Sequence, residues 1–138
     1  MVKLFAVANS LLYVHTLLFL YFTSKIQHMP QQYCLALDLK NDAVLIEAYK
    51  QYHQEIWPGI VQSIKDSGIL TMQIYNAGNR LFMIIQASAD FNFTKKAAAD
   101  VANPLVQQWE QLMWQYQQAL PFAAPGQKWV LMEKIFEV

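Results

Sequence analysis

Residues 33 to 40, YCLALDLK, alternate with a period of two and put Tyr33, Leu35, Leu37 and Leu39 on one face, which predicts a strand with one buried side. Asn41 and Asp42 end the strand and can cap a helix starting after them. From Ala43 to Ile56 the spacing turns helical, with Leu45, Ala48, Tyr49 and Tyr52 clustered near one face. Pro58 stops or bends that helix, because the residue before proline is driven out of the helical region while proline itself suits a first helical turn. A second helical piece, Gly59 to Ser67, presents Ile60, Val61 and Ile64 and closes at Gly68, a natural left-handed cap.

Two apolar runs then flank NAGN in ILTMQIYNAGNRLFMIIQA, the pattern of an antiparallel hairpin whose Asn and Gly tolerate positive φ. In its second run Leu81, Met83 and Ile85 point one way, Phe82 and Ile84 the other. Residues 91 to 102 return to helical spacing, Asn103-Pro104 restarts a helix running to about Ala119 before Pro121, and KWVLMEKIFEV reads as a closing strand. The order β, α, β, β, α, β is the split βαβ, or ferredoxin-like, unit: an α+β fold with a four-stranded antiparallel sheet and helices on one face. Apolar side chains on both strand faces predict a symmetric homodimer with sheets face to face.

Ahead of this pattern, Leu4 to Ser24 contains no Asp, Glu, Lys or Arg over 21 residues, long enough as a helix to cross a bilayer core. It lacks a small-x-small cleavage site before KIQH, and lysines at both ends give no orientation. Equally, Met29 stands just ahead of the first strand, so residues 1–28 also read as an upstream extension of the reading frame. The expected organisation is an apolar extension over 1–28 and one domain over 29–138. The expected location is cytoplasmic, or membrane-anchored through residues 4–24 if that run is an anchor.

With 55% hydrophobic and 14% aromatic residues among 138, disorder is excluded and one cored domain fits. Lys3 and Lys25 flank the apolar run, so residues 29–138 carry eight basic against ten acidic side chains. No basic stripe appears there, and nucleic acid is not an expected partner. A single Cys34 excludes an internal disulfide. His15, His28 and His53 stand without His-x-x-x-His or Cys-x-x-Cys spacing, so the expected chemistry is metal-free.

One row of residues carries candidate chemistry. In EAYKQYHQEIWPGI, Tyr49, His53 and Trp57 recur every fourth position, which on a helix stacks a phenol, an imidazole and an indole along one side. Spacing alone leaves two readings open: buried core residues, or a catalytic row over a pocket. Trp109 and Trp114 cannot both face the same way on one helix, and Trp114 and Trp129 read as packing. Lys95-Lys96 reads as a solvated helix start, and NFT at Asn92 fits a glycosylation sequon that matters only in a secretory setting.

Taken together, YCLALDLK, YKQYHQEIWPGI, IYNAGNRLFMII, ANPLVQQWEQLMW and GQKWVLMEKIFEV resemble the L-rhamnose mutarotase family, in unbroken order over residues 31 to 138. The resemblance implies a dimeric ferredoxin-like α/β-barrel that interconverts the α and β anomers of a deoxy-hexopyranose without a cofactor. It makes His53 the proton donor, with Tyr49 and Trp109 lining the sugar. The row then supplies an acid, a positioner and, in Trp57, a wall, unless the Pro58 break turns that indole away. Two positions depart from the family pattern: Met72 stands where a sugar-contacting tyrosine is usual, and Glu110 follows Trp109 where paired tryptophans are usual. Both bear on which monosaccharide is used, L-rhamnose, L-fucose or another.

Those residue types suit the reaction. Opening a cyclic hemiacetal needs a proton delivered to the ring oxygen and one removed from the anomeric hydroxyl, and histidine, titrating near neutral pH, can do either. Tyrosine can hydrogen-bond a hydroxyl or orient the imidazole, and tryptophan offers a flat apolar face to the sugar's C–H surface. Two alternatives accompany this expectation: a non-catalytic sugar-binding module, motivated by Met72 and Glu110, and a cofactor-free oxygenase on the same type of barrel.

Overall fold

The computed structural model describes residues 14–21 and 29–138, and the chain divides into two units, Met1–Pro30 and Gln31–Val138. In the first, residues 14–21 are helical and exposed. No helix among the described residues is long and apolar enough to cross a membrane. The rest of the uncharged run over 4–24 lies outside them.

The second unit opens with β1 (Gln31–Leu39), followed by α1 (Ala43–Gln54). Asp42 has extended backbone, and its carboxylate accepts hydrogen bonds from the Val44 and Leu45 amides at 2.8 and 3.2 Å, occupying donors that the first helical turn leaves free. Replacing Asp42 with alanine is expected to cost about 1 kcal/mol of stability, visible as a lower thermal unfolding midpoint. α1 ends at Gln54 rather than Ile56, so Trp57 leaves the helical row and becomes the residue from which α2 (Pro58–Asp66) starts. Gly68, at φ 90, turns the chain into β2 (Ile69–Ala77), and a Cβ there would sit 2.8 Å from the Ser88 hydroxyl. Gly78, at φ 61, makes the tight turn into β3 (Arg80–Ala87), and no asparagine of NAGN adopts positive φ.

Asn92 caps α3 (Phe93–Ala102), its side-chain oxygen accepting from the Lys95 amide at 3.0 Å, so the asparagine of the NFT triplet serves as a helix cap. Asn103 does the same for α4 (Pro104–Trp114), accepting from Leu105 and Val106. α4 stops at Trp114, short of the Ala119 expected, because Gln115 and Tyr116 turn the chain so that β4 (Gln117–Gln118) pairs with Asp38–Leu39.

The sheet is antiparallel, in the order β2-β3-β1-β4, with β5 (Val130–Leu131) also on β1. The fourth strand position is therefore shared by two fragments, β4 opposite Asp38–Leu39 and β5 opposite Leu35–Ala36. The expected closing strand is correspondingly short. Past the Met132 amide, which bonds the Cys34 carbonyl at 2.8 Å, the tail is exposed and outside the sheet. Glu133, Lys134 and Glu137 interrupt its apolar alternation, and Lys134 pairs with Glu137 within the tail at 2.9 Å.

The helix-facing side of the sheet and the helices enclose two buried clusters. One joins Leu39, Tyr49, Ile60, Leu81, Val106, Trp109 and Met113; the other joins Leu35, Ile69, Met83, Ile85, Ala87 and Phe91. The alternation expected for β3 holds, with Leu81, Met83 and Ile85 buried and Phe82 and Ile84 on the opposite face beside Ala36 and Cys34. Arg80 grips Asp38 across the strands through two hydrogen bonds, 2.8 and 3.1 Å, fixing the register of β1 against β3.

Candidate active site

Between the helices and the sheet lies an open cavity of about 650 Å³, a size suited to a small molecule. Its floor is apolar, formed by Leu35, Met72, Ile74, Met83 and Ile85 of the strands. Its polar lining includes Tyr49 and His53 from α1, Glu110 from α4, Gln117 from β4 and Lys128 from the loop before β5, together with Ser63, Gln107 and the Lys96–Asp100 ion pair of α3. A second cavity of about 250 Å³ is also bordered by Tyr49 and His53, with Lys50 and Asn76.

His53 sits one turn after Tyr49 and its Nδ1 lies 2.9 Å from the Tyr49 carbonyl oxygen. A carbonyl can only accept, so Nδ1 carries the proton and donates; in the neutral ring Nε2 is left with a free lone pair. Burial lowers the imidazole pKa below its ordinary 6.5, against the smaller upward pull of the Tyr49 carbonyl bond, so the ring is neutral at pH 7. Tyr49 is 3% exposed. Its burial pushes the phenol up to about 12, with Gln117 pulling the other way and the Glu110 charge adding to the rise. The phenol is consequently a donor throughout the physiological range.

Aromatic rings hold these two groups in position. The Tyr49 and His53 ring centroids are 4.2 Å apart, and Trp109 meets His53 edge-on at 5.6 Å. Trp57 in turn packs edge-on against Trp109 at 5.2 Å. Among the described residues no group of His, Cys, Asp and Glu is arranged to hold a metal.

Five of the six residues singled out in the sequence line the larger cavity: Tyr49, His53, Met72, Trp109 and Glu110. Trp57 does not. The end of α1 at Gln54 takes it out of the row, and it stands behind Trp109 as a buttress instead of a wall. Trp114, expected in the core, is 39% exposed with the Lys128 ammonium 5.2 Å above its ring. Trp129 packs against both clusters and also lines the cavity. Sequence reasoning missed Gln117 and Lys128, which reach the site only through the chain reversal after α4; no local spacing marks either.

Comparison with known proteins bears on this site. A family model described as L-rhamnose mutarotase matches residues 32–138. An L-fucose mutarotase from Xanthomonas campestris pv. campestris is 43% identical over 108 residues, covering 77% of this chain and 86% of that protein. An L-rhamnose mutarotase from Burkholderia ambifaria is 32% identical over 57 residues, 40% of this chain and 55% of that protein. Among solved structures, an L-rhamnose mutarotase from Formosa agariphila has the same ferredoxin-like fold, with a TM-score of 0.59 and 22% identity over 78% of this chain and 98% of that one.

Proposed function

The chain belongs to the L-rhamnose mutarotase family, and from that membership we propose that it interconverts the α and β anomers of a 6-deoxy-hexopyranose, with His53 as the proton-transferring residue. The observation that carries this reading is a neutral imidazole on the cavity wall whose Nδ1 is tied to its own helix, leaving Nε2 for a ligand. The catalytic unit is taken as residues 29–138, with the extension over 1–28 outside the chemistry.

In ring opening, His53 Nε2 removes the proton from the anomeric O1 hydroxyl as the C1–O5 bond breaks. The Tyr49 phenol supplies a proton to O5. Rotation about C1–C2 turns the aldehyde, O5 attacks its other face, Tyr49 recovers its proton, and the imidazolium returns one to O1. His53 is thus base on opening and donor on closure, as microscopic reversibility requires. Trp109 offers the sugar an apolar face and helps exclude water, while Met72, Ile74 and Met83 suit a 6-methyl group. Saturation-transfer NMR on the anomeric signals tests the reading. The protein should accelerate exchange of L-fucose or L-rhamnose; ligand-induced thermal stabilisation without exchange would contradict it.

The same groups set a pH dependence. Because the base is neutral His53 with a pKa below 6.5, kcat/KM should hold constant through neutral pH and fall on an acid limb whose midpoint lies below 6.5. No loss is expected on the alkaline side until the Tyr49 phenol, at about 12, ionises. Stability has the same sign. Below 6.5 the unfolded chain takes up a proton that the folded site resists, so the contribution of neutral His53 is complete above 6.5 and is lost as pH falls toward the lower folded value.

A homodimer through the outer sheet faces belongs to this proposal. Phe82 and Ile84 are half-buried there and Tyr75 is exposed, an apolar set on the sheet face opposite the helix-side clusters. Phe82→Glu is expected to convert a dimer to a monomer in light-scattering chromatography; an unchanged mass argues for another interface. The thiol of Cys34 fits a reducing compartment, and the cytoplasm is the proposed location.

A further inference from the structure

Glu110 follows Trp109 on α4, and both line the cavity. The loop after β4 brings Lys128, which also lines the cavity, into contact with Glu110. The Lys128 ammonium donates to Glu110 Oε2 at 2.6 Å and to the Glu110 backbone carbonyl at 3.2 Å, and lies 5.2 Å from the centroid of the Trp114 ring. One lysine therefore holds a carboxylate, the main chain of the helix that carries it, and an aromatic face. An ordinary surface ion pair has one loose contact and loses most of its value to solvent. Here the Lys128 and Glu110 side chains are 26% and 42% exposed, and both line the cavity. Glu110 Oε1 has no hydrogen bond among the described residues, and a carboxylate oxygen so placed can only accept. The Glu110 charge also reaches the Tyr49 phenol, so carboxylate and reacting groups share one region of the cavity.

Resting on the sugar-mutarotase reading, we propose that Glu110 and Lys128 form a specificity-determining pair. Lys128 is the positioning residue, fixing the carboxylate so that Oε1 accepts a hydrogen bond from a ring hydroxyl of the substrate. The ligand class this selects is a 6-deoxy-hexopyranose with a hydroxyl directed at that wall. L-Fucose and L-rhamnose differ in configuration at C2 and C4, so a fixed acceptor meets a hydroxyl in one and, at the same position, a C–H in the other. A site that offers a hydrogen bond discriminates against the epimer that leaves it unmade.

The test is the ratio of kcat/KM for L-fucose over L-rhamnose, from anomer-exchange NMR, in the unaltered protein and in Glu110→Gln, Lys128→Met and Lys128→Arg. Glu110→Gln keeps the shape of the side chain and removes the charge. It should move the ratio by about tenfold, the size of one hydrogen bond to a charged acceptor, and do so through KM of the preferred sugar more than through kcat. Lys128→Met should move it in the same direction, Lys128→Arg should restore part of it, and the acid limb assigned to His53 should stay where it is. A ratio unchanged in both Glu110→Gln and Lys128→Met while exchange persists overturns the proposal, as does an equal loss for both sugars with a lowered unfolding midpoint, which marks a purely structural clasp. If the unaltered protein accelerates neither sugar, the mutarotase reading itself fails and takes this pair with it.

Discussion

Replacement of His53 by alanine is expected to lower the rate constant of anomer exchange by between about 10² and 10⁴, the usual worth of a positioned general acid-base group. The loss should fall on kcat, because Trp109, Tyr49 and the apolar floor that bind the ring remain. Folding should be little affected. His53 is half-buried, its side chain's hydrogen bond among the described residues goes to a carbonyl already inside α1, and the helix keeps its Asp42 cap. Added imidazole offers an independent check. The cavity of about 650 Å³ exceeds what a monosaccharide fills, so free imidazole should restore part of the rate to His53→Ala and none to the unaltered protein. Full activity in His53→Ala would move the base elsewhere on the wall.

Trp109→Ala should have the largest effect on stability, about 3–5 kcal/mol, measurable by denaturant unfolding. Its side chain is 7% exposed within the helix-side core cluster, and the rings of Tyr52, His53 and Trp57 all meet it edge-on, at 6.5, 5.6 and 5.2 Å. Removing the indole therefore leaves a void beside the base as well as beneath the helices. Against a typical domain stability of about 5–15 kcal/mol, that is a large fraction. Trp109→Phe, which keeps an aromatic face, separates the two roles: it should recover most of the stability and, by leaving His53 less firmly held, still lower kcat. Equal behaviour of the two variants in unfolding would place Trp109 outside the core.

Local chemistry explains which features were legible in the chain. The β1 strand, the Asp42 cap, the Pro58 start and the Gly68 turn each rest on a few neighbouring residues, and each appears as expected. The exception is within β1, which is buried on both faces from Leu35 to Leu39, Ala36 and Asp38 included, where alternation predicts one buried side. Tyr49 and His53 were legible together because one helical turn links them. Trp57 was misread for the same reason. Its spacing extends the row, but Pro58 and the early end of α1 decide its direction, and Trp109 then receives it as a buttress. Trp114 was assigned to the core from its helix face, yet it is exposed, with a lysine from the loop beyond β4 over its ring. The sharing of the fourth strand between Gln117–Gln118 and Val130–Leu131, and the Glu110–Lys128 pair, depend on long-range chain reversal that no periodicity encodes.

The acid-base assignment reduces to one ring, and ¹⁵N NMR of the His53 imidazole across pH examines it directly. Nδ1 should be protonated and Nε2 bare at pH 7, with a titration midpoint below 6.5 that coincides with the acid limb of anomer exchange. A proton resident on Nε2 at neutral pH, or a midpoint above 6.5, would contradict the assignment.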